Sequence, residues 1–265
     1  MPDEYGGYPS TQILEKYLGR ARIATYLDEA SGDIPKAVDL YRWNQQLEGE
    51  LHILLGTVEV SLRNAIDAIL KDLAIESIGN DEWTGLDYNG FRFTASNKPD
   101  RDSLRLPRKL NRIMNDVYAA HLHAYESVNR SSRKTSCAQT HRAYNHDDII
   151  AALMFGTWAK LVGLPSANAH GRVSWNQKLW NSHLHKAFKS LTNSESDRVS
   201  TARNVQYLHR LRNRVAHHEN LLFVDFDRSI AATMSLLNSI DPELSNHWVE
   251  LATLRSIVAE DPRHI

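Results

Sequence analysis

The chain has 265 residues, of which 42% are hydrophobic, with a formal net charge of −1 and one cysteine. This length allows one large domain or two small ones, and the apolar fraction is sufficient for a buried core. The charge balance excludes a globally basic nucleic-acid-binding protein, so any such binding requires a local basic patch. The single cysteine excludes an intramolecular disulfide framework and a cysteine-rich zinc site.

The chain begins with an acidic segment, residues 1–5, which lacks the basic-then-apolar order of a signal peptide. Its most apolar stretch, residues 149–164, contains Lys160 and is too short for an ordinary bilayer span. We therefore expect a cytoplasmic protein that does not cross a membrane.

Apolar residues at steps of three and four predict two helices in the first third of the chain. The first runs over about 11–30, with Ser10 or Thr11 as its cap, and the second over about 35–74, capped by Asp33. The second helix is continuous unless one of its glycines introduces a kink.

The middle of the chain, about 79–145, reads as a basic, loop-rich insertion within a single domain of residues 1–265. Turn-forming residues fill 79–103, with a short hairpin expected near Phe91 to Phe93. A helix is predicted from Pro107 to about Ser127, followed by a polar stretch to residue 145.

Helical periodicity dominates the remaining chain, and no alternating strand pattern is present. The fold class is therefore predicted to be all-α, with about eight helices in an elaborated bundle. The helix of 149–162 is apolar on nearly all sides and is expected to be the most buried. The predicted C-terminal helices are 149–162 after the Asn145 cap, 176–190 after the Ser174 cap, one capped by Ser196 and Asp197, 226–239 and 243–259.

The helix capped by Ser196 leads into the stretch from Leu211 to Leu221, which combines groups suited to phosphodiester chemistry. Arg212 supplies a fixed cation, Asn213 an amide and His217 a group that exchanges protons near neutral pH. Asn213 and His217 lie four residues apart, on one helix face, whereas Arg212 diverges from His217 by roughly 140°.

Two interpretations of this stretch remain open from the residues alone. Arg210, Arg214 and His218 form a second polar ridge, and Leu208, Leu211 and Val215 form an apolar one that should be buried. The polar ridges either face a groove with a chemical role, or consist of solvated side chains and of histidines that interact with the helix C-terminus.

A second polar group lies on the long helix, where Glu59 and Arg63 are four residues apart and Asn64 is adjacent. This spacing is typical of an ordinary helical ion pair. It equally allows a supporting wall for the same cleft.

The clearest charge asymmetry lies between residues 98 and 142, where ten Lys and Arg face four Asp and Glu, a local charge of +6. Such a cluster provides what binding to a phosphate backbone requires. The alternative is a solvated loop and helix surface.

Three stretches follow one another along the chain: the segment from Trp43 to Asn64 that ends in Glu59-Val60-Ser61-Leu62-Arg63-Asn64, then Met154-Phe155-Gly156-Thr157-Trp158, and last Arg212-Asn213-x3-His217 followed by His218-x-Asn220-Leu221. In this order they resemble the Abi-like (abortive infection) branch of the HEPN superfamily. The resemblance covers most of residues 10–240 and implies an HEPN-like helical bundle.

The resemblance implies a metal-independent endoribonuclease without a cofactor, acting in phage defence or as a toxin and leaving 2′,3′-cyclic phosphate ends. His217 would be the general acid or base, Arg212 would stabilise phosphoryl charge, and Asn213 would position the phosphate or the histidine. His218 is a candidate for a second proton-transfer group. The supporting residues would be Glu59, Arg63 and Asn64, and the RNA-binding residues Arg105, Arg108, Lys109, Arg112, Arg133 and Lys134.

The expected partners are RNA, a second copy of the chain in a homodimer, and an antitoxin or another component of a defence system. The main alternative is a non-catalytic HEPN module that binds RNA or a defence partner. A third reading is an unrelated helical protein, in which His217 would be buried against a main-chain carbonyl.

Overall fold

The computed structural model describes residues 8–86, 92–94, 98–134, 143–164, 173–248 and 250–264, with only the backbone described at 129–134 and 247–248. These residues confirm the all-α class, with eleven α-helices rather than about eight. They are α1 Thr11–Leu18, α2 Arg20–Glu29, α3 Ile34–Ile78, α4 Met114–Lys134, α5 His146–Ala152, α6 Phe155–Val162, α7 Trp175–Ser182, α8 Glu195–Ala216, α9 Phe226–Ile240, α10 Pro242–Trp248 and α11 Ala252–Ala259.

Three short 3-10 helices accompany them, at Arg101–Ser103, Arg108–Ile113 and Leu184–Ala187. In the described part of the predicted hairpin, the only extended pairing is an isolated antiparallel bridge between Phe93 and Pro99. No described helix is both long and apolar enough to span a membrane.

The described chain divides into two compact units. The first contains the residues up to Thr57, Arg210–Ile230 and those from Trp248 onward, and the second contains Val58–His209 and Ala231–His247. The assignment of residues 1–265 to one domain, with an insertion at about 79–145, stays a prediction.

The first unit is built on the N-terminal part of α3, which the sequence predicted as one long helix. Trp43 is buried, its indole N–H donates to the Ile257 carbonyl oxygen at 2.6 Å, and its ring meets Phe226 edge-on. Fully buried aliphatic side chains at helical spacing continue this face, so burial of apolar area holds α3 in place. They include Leu40, Leu47, Leu51 and Leu55.

The second unit has an aromatic core. Trp83 and Trp158 pack edge-to-face with ring centroids 6.3 Å apart, and Trp180 stacks on Phe188 at 5.0 Å. Five of the eight residues of α6 are buried, which confirms the expectation of a deeply buried helix in this part of the chain. Large aromatic side chains bury the most area per residue, so they dominate this core.

The Met154 to Trp158 stretch brings α6 against α8. The Phe155 ring lies 5.6 Å from that of His209, and a Cβ added to Gly156 would be 3.3 Å from His209 Nε2. A residue without a side chain at position 156 therefore lets the two helices approach closely.

The helices predicted over 11–30 and 149–162 are each divided in the structure. The prediction of one helix over 11–30 was wrong because Gly19 adopts a φ of 83°, which separates α1 from α2. The prediction of one helix over 149–162 was also wrong, because Leu153 and Met154 have extended backbones between α5 and α6. No glycine or proline marks that second break.

Several helix boundaries differ from the predicted ones. Helix α4 continues to Lys134, beyond the predicted end at Ser127, so the polar residues after Ser127 do not end it. The predicted helix 176–190 ends at Ser182, and the predicted helix 243–259 is interrupted between α10 and α11.

Three predicted helix caps are confirmed, Asp33 for α3, Asn145 for α5 and Ser174 for α7, and the predicted cap of α8 is corrected. Ser174 caps α7 as predicted, since its hydroxyl accepts from the Gln177 N–H. The cap of α8 is Ser194 rather than Ser196, because the Ser194 hydroxyl accepts from the Asp197 N–H at 3.1 Å.

A histidine held between two carboxylates joins α3 to α5 in the second unit. His146 Nδ1 lies 2.6 Å from Glu82 and its Nε2 lies 2.9 Å from Asp67. Burial alone would lower the pKa of His146, but the hydrogen bonds to the carboxylates outweigh it and raise that pKa to about 9. The same hydrogen bonds outweigh burial at Asp67 and Glu82 and hold their pKa values below the usual ones.

We predict that replacing His146 by Gln changes how stability depends on pH. Because the folded-state pKa is raised, the charged His146 stabilises the fold fully below about pH 6.5, and this contribution is lost as pH rises through about 9. Urea unfolding at pH 6 and pH 10 should show a wild-type advantage over His146→Gln that shrinks at the higher pH. An advantage that is equal at both pH values, or one that the exposed control His123→Gln reproduces, would contradict this.

Candidate active site

Helix α8 ends immediately before the predicted histidines. The Glu219 N–H donates to the Arg214 carbonyl at 2.9 Å and the His218 N–H donates to that of Val215 at 3.1 Å. This pair of bonds is a Schellman motif, whose left-handed residue is usually glycine. Here it is His218, with a φ of 52°. A side chain in this strained conformation needs support from its surroundings.

That support comes from Glu48 on α3. The His218 Nδ1–H donates to Glu48 Oε2 at 2.9 Å, while the imidazole remains largely exposed. Because Nδ1 carries the proton of this bond, Nε2 of a neutral His218 is left as the acceptor. The carboxylate thus fixes both the tautomer and the direction of the ring.

Glu48 is itself held by a buried amide. Asn44, at 1% exposure, donates from Nδ2 to Glu48 Oε1 at 2.6 Å and accepts the Leu221 N–H at 2.6 Å. A series of three hydrogen bonds, from Leu221 to Asn44, from Asn44 to Glu48 and from His218 to Glu48, connects α3 with both sides of the turn after α8.

Sequence reasoning missed Asn44 and Glu48. Both lie on α3 within the stretch quoted for the family resemblance, and they are four residues apart, a spacing at which side chains of one helix meet. A polar Asn44 directly after the buried Trp43 was the available signal. Nothing in the spacing indicated that its partner lies in the turn at Leu221.

The predicted catalytic residues occupy the last turn of α8 and the residues after it. Arg212 and Asn213 are half-buried, and His217 is exposed. The His217 N–H donates to the Asn213 carbonyl at 3.0 Å, so His217 keeps its place one helical turn beyond Asn213. Exposure of His217 contradicts the reading in which it is a buried core histidine. The catalytic roles stay predictions.

The predicted ridges of α8 are partly as expected. Leu208, Leu211 and Val215 are buried, which confirms the apolar ridge. Arg214, on the predicted polar ridge, donates to the Asn220 carbonyl, and its Nε lies 3.6 Å from Glu219; a groove along this ridge stays a prediction. This arginine therefore stabilises the turn that contains His218.

The predicted supporting residues belong to the second unit. Glu59 and Arg63 are half-buried on α3, and Asn64 is exposed. Their role as a wall for the predicted cleft stays a prediction.

Three predicted RNA-binding residues line one groove in the second unit, with a volume of about 680 Å³. Arg108, Lys109 and Arg112 are exposed and share this groove with Lys178, which the sequence did not single out. Arg105 is also exposed, and its guanidinium donates to the carbonyl oxygens of Asp102 and Leu104. The predicted residues Arg133 and Lys134 end α4, and their side chains lie outside the described part of the structure.

Two buried histidines of the second unit have hydrogen-bonding partners within the protein. His121 is buried between the Tyr144 hydroxyl and the Thr84 carbonyl, and His183 is buried with its Nε2 2.9 Å from Glu76. Among the described residues, no cluster of three or more His, Cys, Asp or Glu side chains is arranged to hold a metal ion.

The fold and site define an all-α protein that presents Arg-Asn-x3-His-His at the end of a long helix, with a histidine directed by a carboxylate of another helix. A family model described as Abi-like protein matches residues 14–222, so the chain belongs to the Abi-like protein family. This family points to abortive infection, a form of phage defence. Comparison with curated proteins and with solved structures gave no match.

We predict that Asn44→Ala destabilises the protein by about 1–3 kcal/mol. The variant leaves the buried Leu221 N–H without its acceptor, and that group then carries its desolvation cost. The exposed neighbour Gln45, changed to Ala, is the matched control. Urea unfolding followed by circular dichroism would measure both, and equal midpoints and slopes for the two variants would contradict the structural role of Asn44.

Proposed function

We propose that this Abi-like protein is an HEPN-type, metal-independent endoribonuclease of phage defence, active as a toxin in abortive infection. The proposal is supported by the pair of exposed histidines that follow α8, one of them directed by Glu48, with Arg212 and Asn213 in the last turns of the same helix. An acid-base group, a permanent cation and an amide close together in the chain are the kinds of group that transfer at a phosphodiester needs.

In the proposed reaction the ribose 2′-oxygen attacks the adjacent phosphorus. A histidine acting as base takes the 2′-OH proton, the new bond from O2′ to phosphorus forms, and the bond from phosphorus to O5′ breaks. A second group donates a proton to the departing O5′. The products are a 2′,3′-cyclic phosphate and a 5′-OH.

His217 and His218 are suited to different steps of this reaction. The exposed His217 ring is accessible to a substrate, and His218 is oriented through its Nδ1 so that Nε2 is the reacting nitrogen. Arg212 supplies charge for the phosphoryl oxygens, where a bidentate guanidinium is stabilising. Asn213, one turn before His217, positions the phosphate or the histidine.

A homodimer would bring two copies of these residues together. In this proposal the acid and the base come either from His217 and His218 of one chain or from the same residue in two chains. An antitoxin or another defence component would restrain the activity in the absence of phage.

We predict that His217→Ala reduces the single-turnover rate of cleavage of a labelled single-stranded RNA, in EDTA, by about 10²- to 10⁴-fold, the usual contribution of a general acid or base. His123→Ala, which removes another exposed histidine, is the control. Equal rates for wild type and His217→Ala would contradict the assignment. RNA binding without cleavage by the wild type would favour the non-catalytic module.

We predict that Glu48→Gln lowers the cleavage rate by about tenfold to a hundredfold and changes its pH profile. The substitution removes a charged hydrogen bond to His218, of the kind worth roughly 1.5–3 kcal/mol. Glu50→Gln, two residues along α3, is the control. Thermal unfolding of both variants separates positioning from stability: a rate loss that simply follows the unfolded fraction, with an unchanged pH profile, would refute the positioning role.

A further inference from the structure

A concave surface of the second unit, here called the basic groove, lies between the end of α3, the 3-10 helix Arg108–Ile113 and the start of α7. Its volume of about 680 Å³ is within the roughly 300–1,000 Å³ range of ligand-binding pockets. The floor is apolar, from Ile78, Leu106 and Leu179.

The walls of the basic groove are cationic. Arg108, Lys109, Arg112 and Lys178 are all exposed, and none of the described lining residues is acidic. Glu76, which directly precedes the lining residue Ser77, is paired with His183 at 2.9 Å. Four cations around one concavity in a chain of net charge −1 favour a polyanionic ligand.

An aromatic side chain adds a second type of contact. Trp175, the first residue of α7, is half-buried and lines the same groove. A basic groove that contains an aromatic side chain is the usual arrangement for single-stranded nucleic acid, in which phosphates meet the cations and an unpaired base stacks on the ring. Paired bases within a duplex do not offer a free face for this stacking.

We propose that the basic groove binds a single-stranded segment of the RNA substrate, with Arg108, Lys109, Arg112 and Lys178 contacting phosphates and Trp175 stacking on a base. Trp175 and Lys178 are thereby new RNA-contacting residues. The proposal rests on the proposed function for the identity of the ligand, but it concerns binding and not the chemistry at His217.

Salt dependence of binding tests the phosphate contacts. Fluorescence anisotropy of labelled single-stranded RNA on full-length His217→Ala protein, in EDTA, would be measured from 50 to 300 mM KCl. The slope of log K against log salt is negative, and each lost phosphate contact reduces its magnitude by about 0.7, so Arg112→Gln with Lys178→Gln should reduce the magnitude by about 1.4. The matched control is Lys189→Gln with Arg203→Gln, which removes the same charge from exposed positions of this unit outside the groove.

Substitution at Trp175 tests base stacking. Trp175→Ala should weaken single-strand binding by at least about fivefold, while Trp175→Phe should retain most of the affinity. A blunt RNA duplex of equal length should bind more weakly than the single strand and should lose little affinity in Trp175→Ala. Circular dichroism of each variant identifies any that has failed to fold. Trp175→Phe, which keeps an aromatic ring, separates the loss of stacking from other effects of changing this residue.

Three results would overturn the proposal: no binding by His217→Ala protein, equal slopes for the groove and control double variants, or equal affinities of wild type and Trp175→Ala for the single strand. Tighter binding of poly-glutamate than of RNA would likewise overturn the proposal, because the ligand of the basic groove would then be an acidic protein and not RNA. Cleavage is measured separately, so a wild type that does not cut RNA but binds through the groove would refute the nuclease and leave the groove in place.

Discussion

The candidate site depends on one buried amide. Asn44 is buried, and its two hydrogen bonds fix the Leu221 main chain and the Glu48 carboxylate together. Through Glu48 it also determines where His218 points. A buried amide that lost either partner would be costly, so the arrangement is favoured only when α3 and the turn after α8 are both in place. The orientation of His218 therefore depends on the folded arrangement of the first unit.

This dependence explains how a residue other than glycine can occupy the left-handed position after α8. A left-handed backbone at His218 is unfavourable for a side chain with a Cβ, and the bond to Glu48 offsets part of that cost. The Arg214 guanidinium adds a second restraint by donating to the Asn220 carbonyl. The result is an exposed imidazole held in a defined direction, which chemistry requires and which a freely rotating surface histidine does not provide.

Local patterns in the sequence predicted the helices but not their partners. The period of the apolar residues was sufficient to predict α3 and the buried face of α8, because both depend only on spacing along one helix. The break at Leu153 could not be predicted, since the residues around it are apolar on all sides and carry no turn signal. Asn44 and Glu48 were missed for a related reason: their partners are about 170 residues away in the chain. Lys178 and Trp175 join Arg108 only through the fold.

In the proposed mechanism, the groups at the end of α8 direct the ribose 2′-oxygen onto the neighbouring phosphorus. The most direct measurement is mass spectrometry of the product ends, in EDTA, for an RNA and for the same RNA with a single 2′-deoxy residue at the cut site. We expect 2′,3′-cyclic phosphate and 5′-OH ends from the RNA, and no cut at the deoxy position. Cleavage at the deoxy position, or products with 5′-phosphate ends, would contradict it.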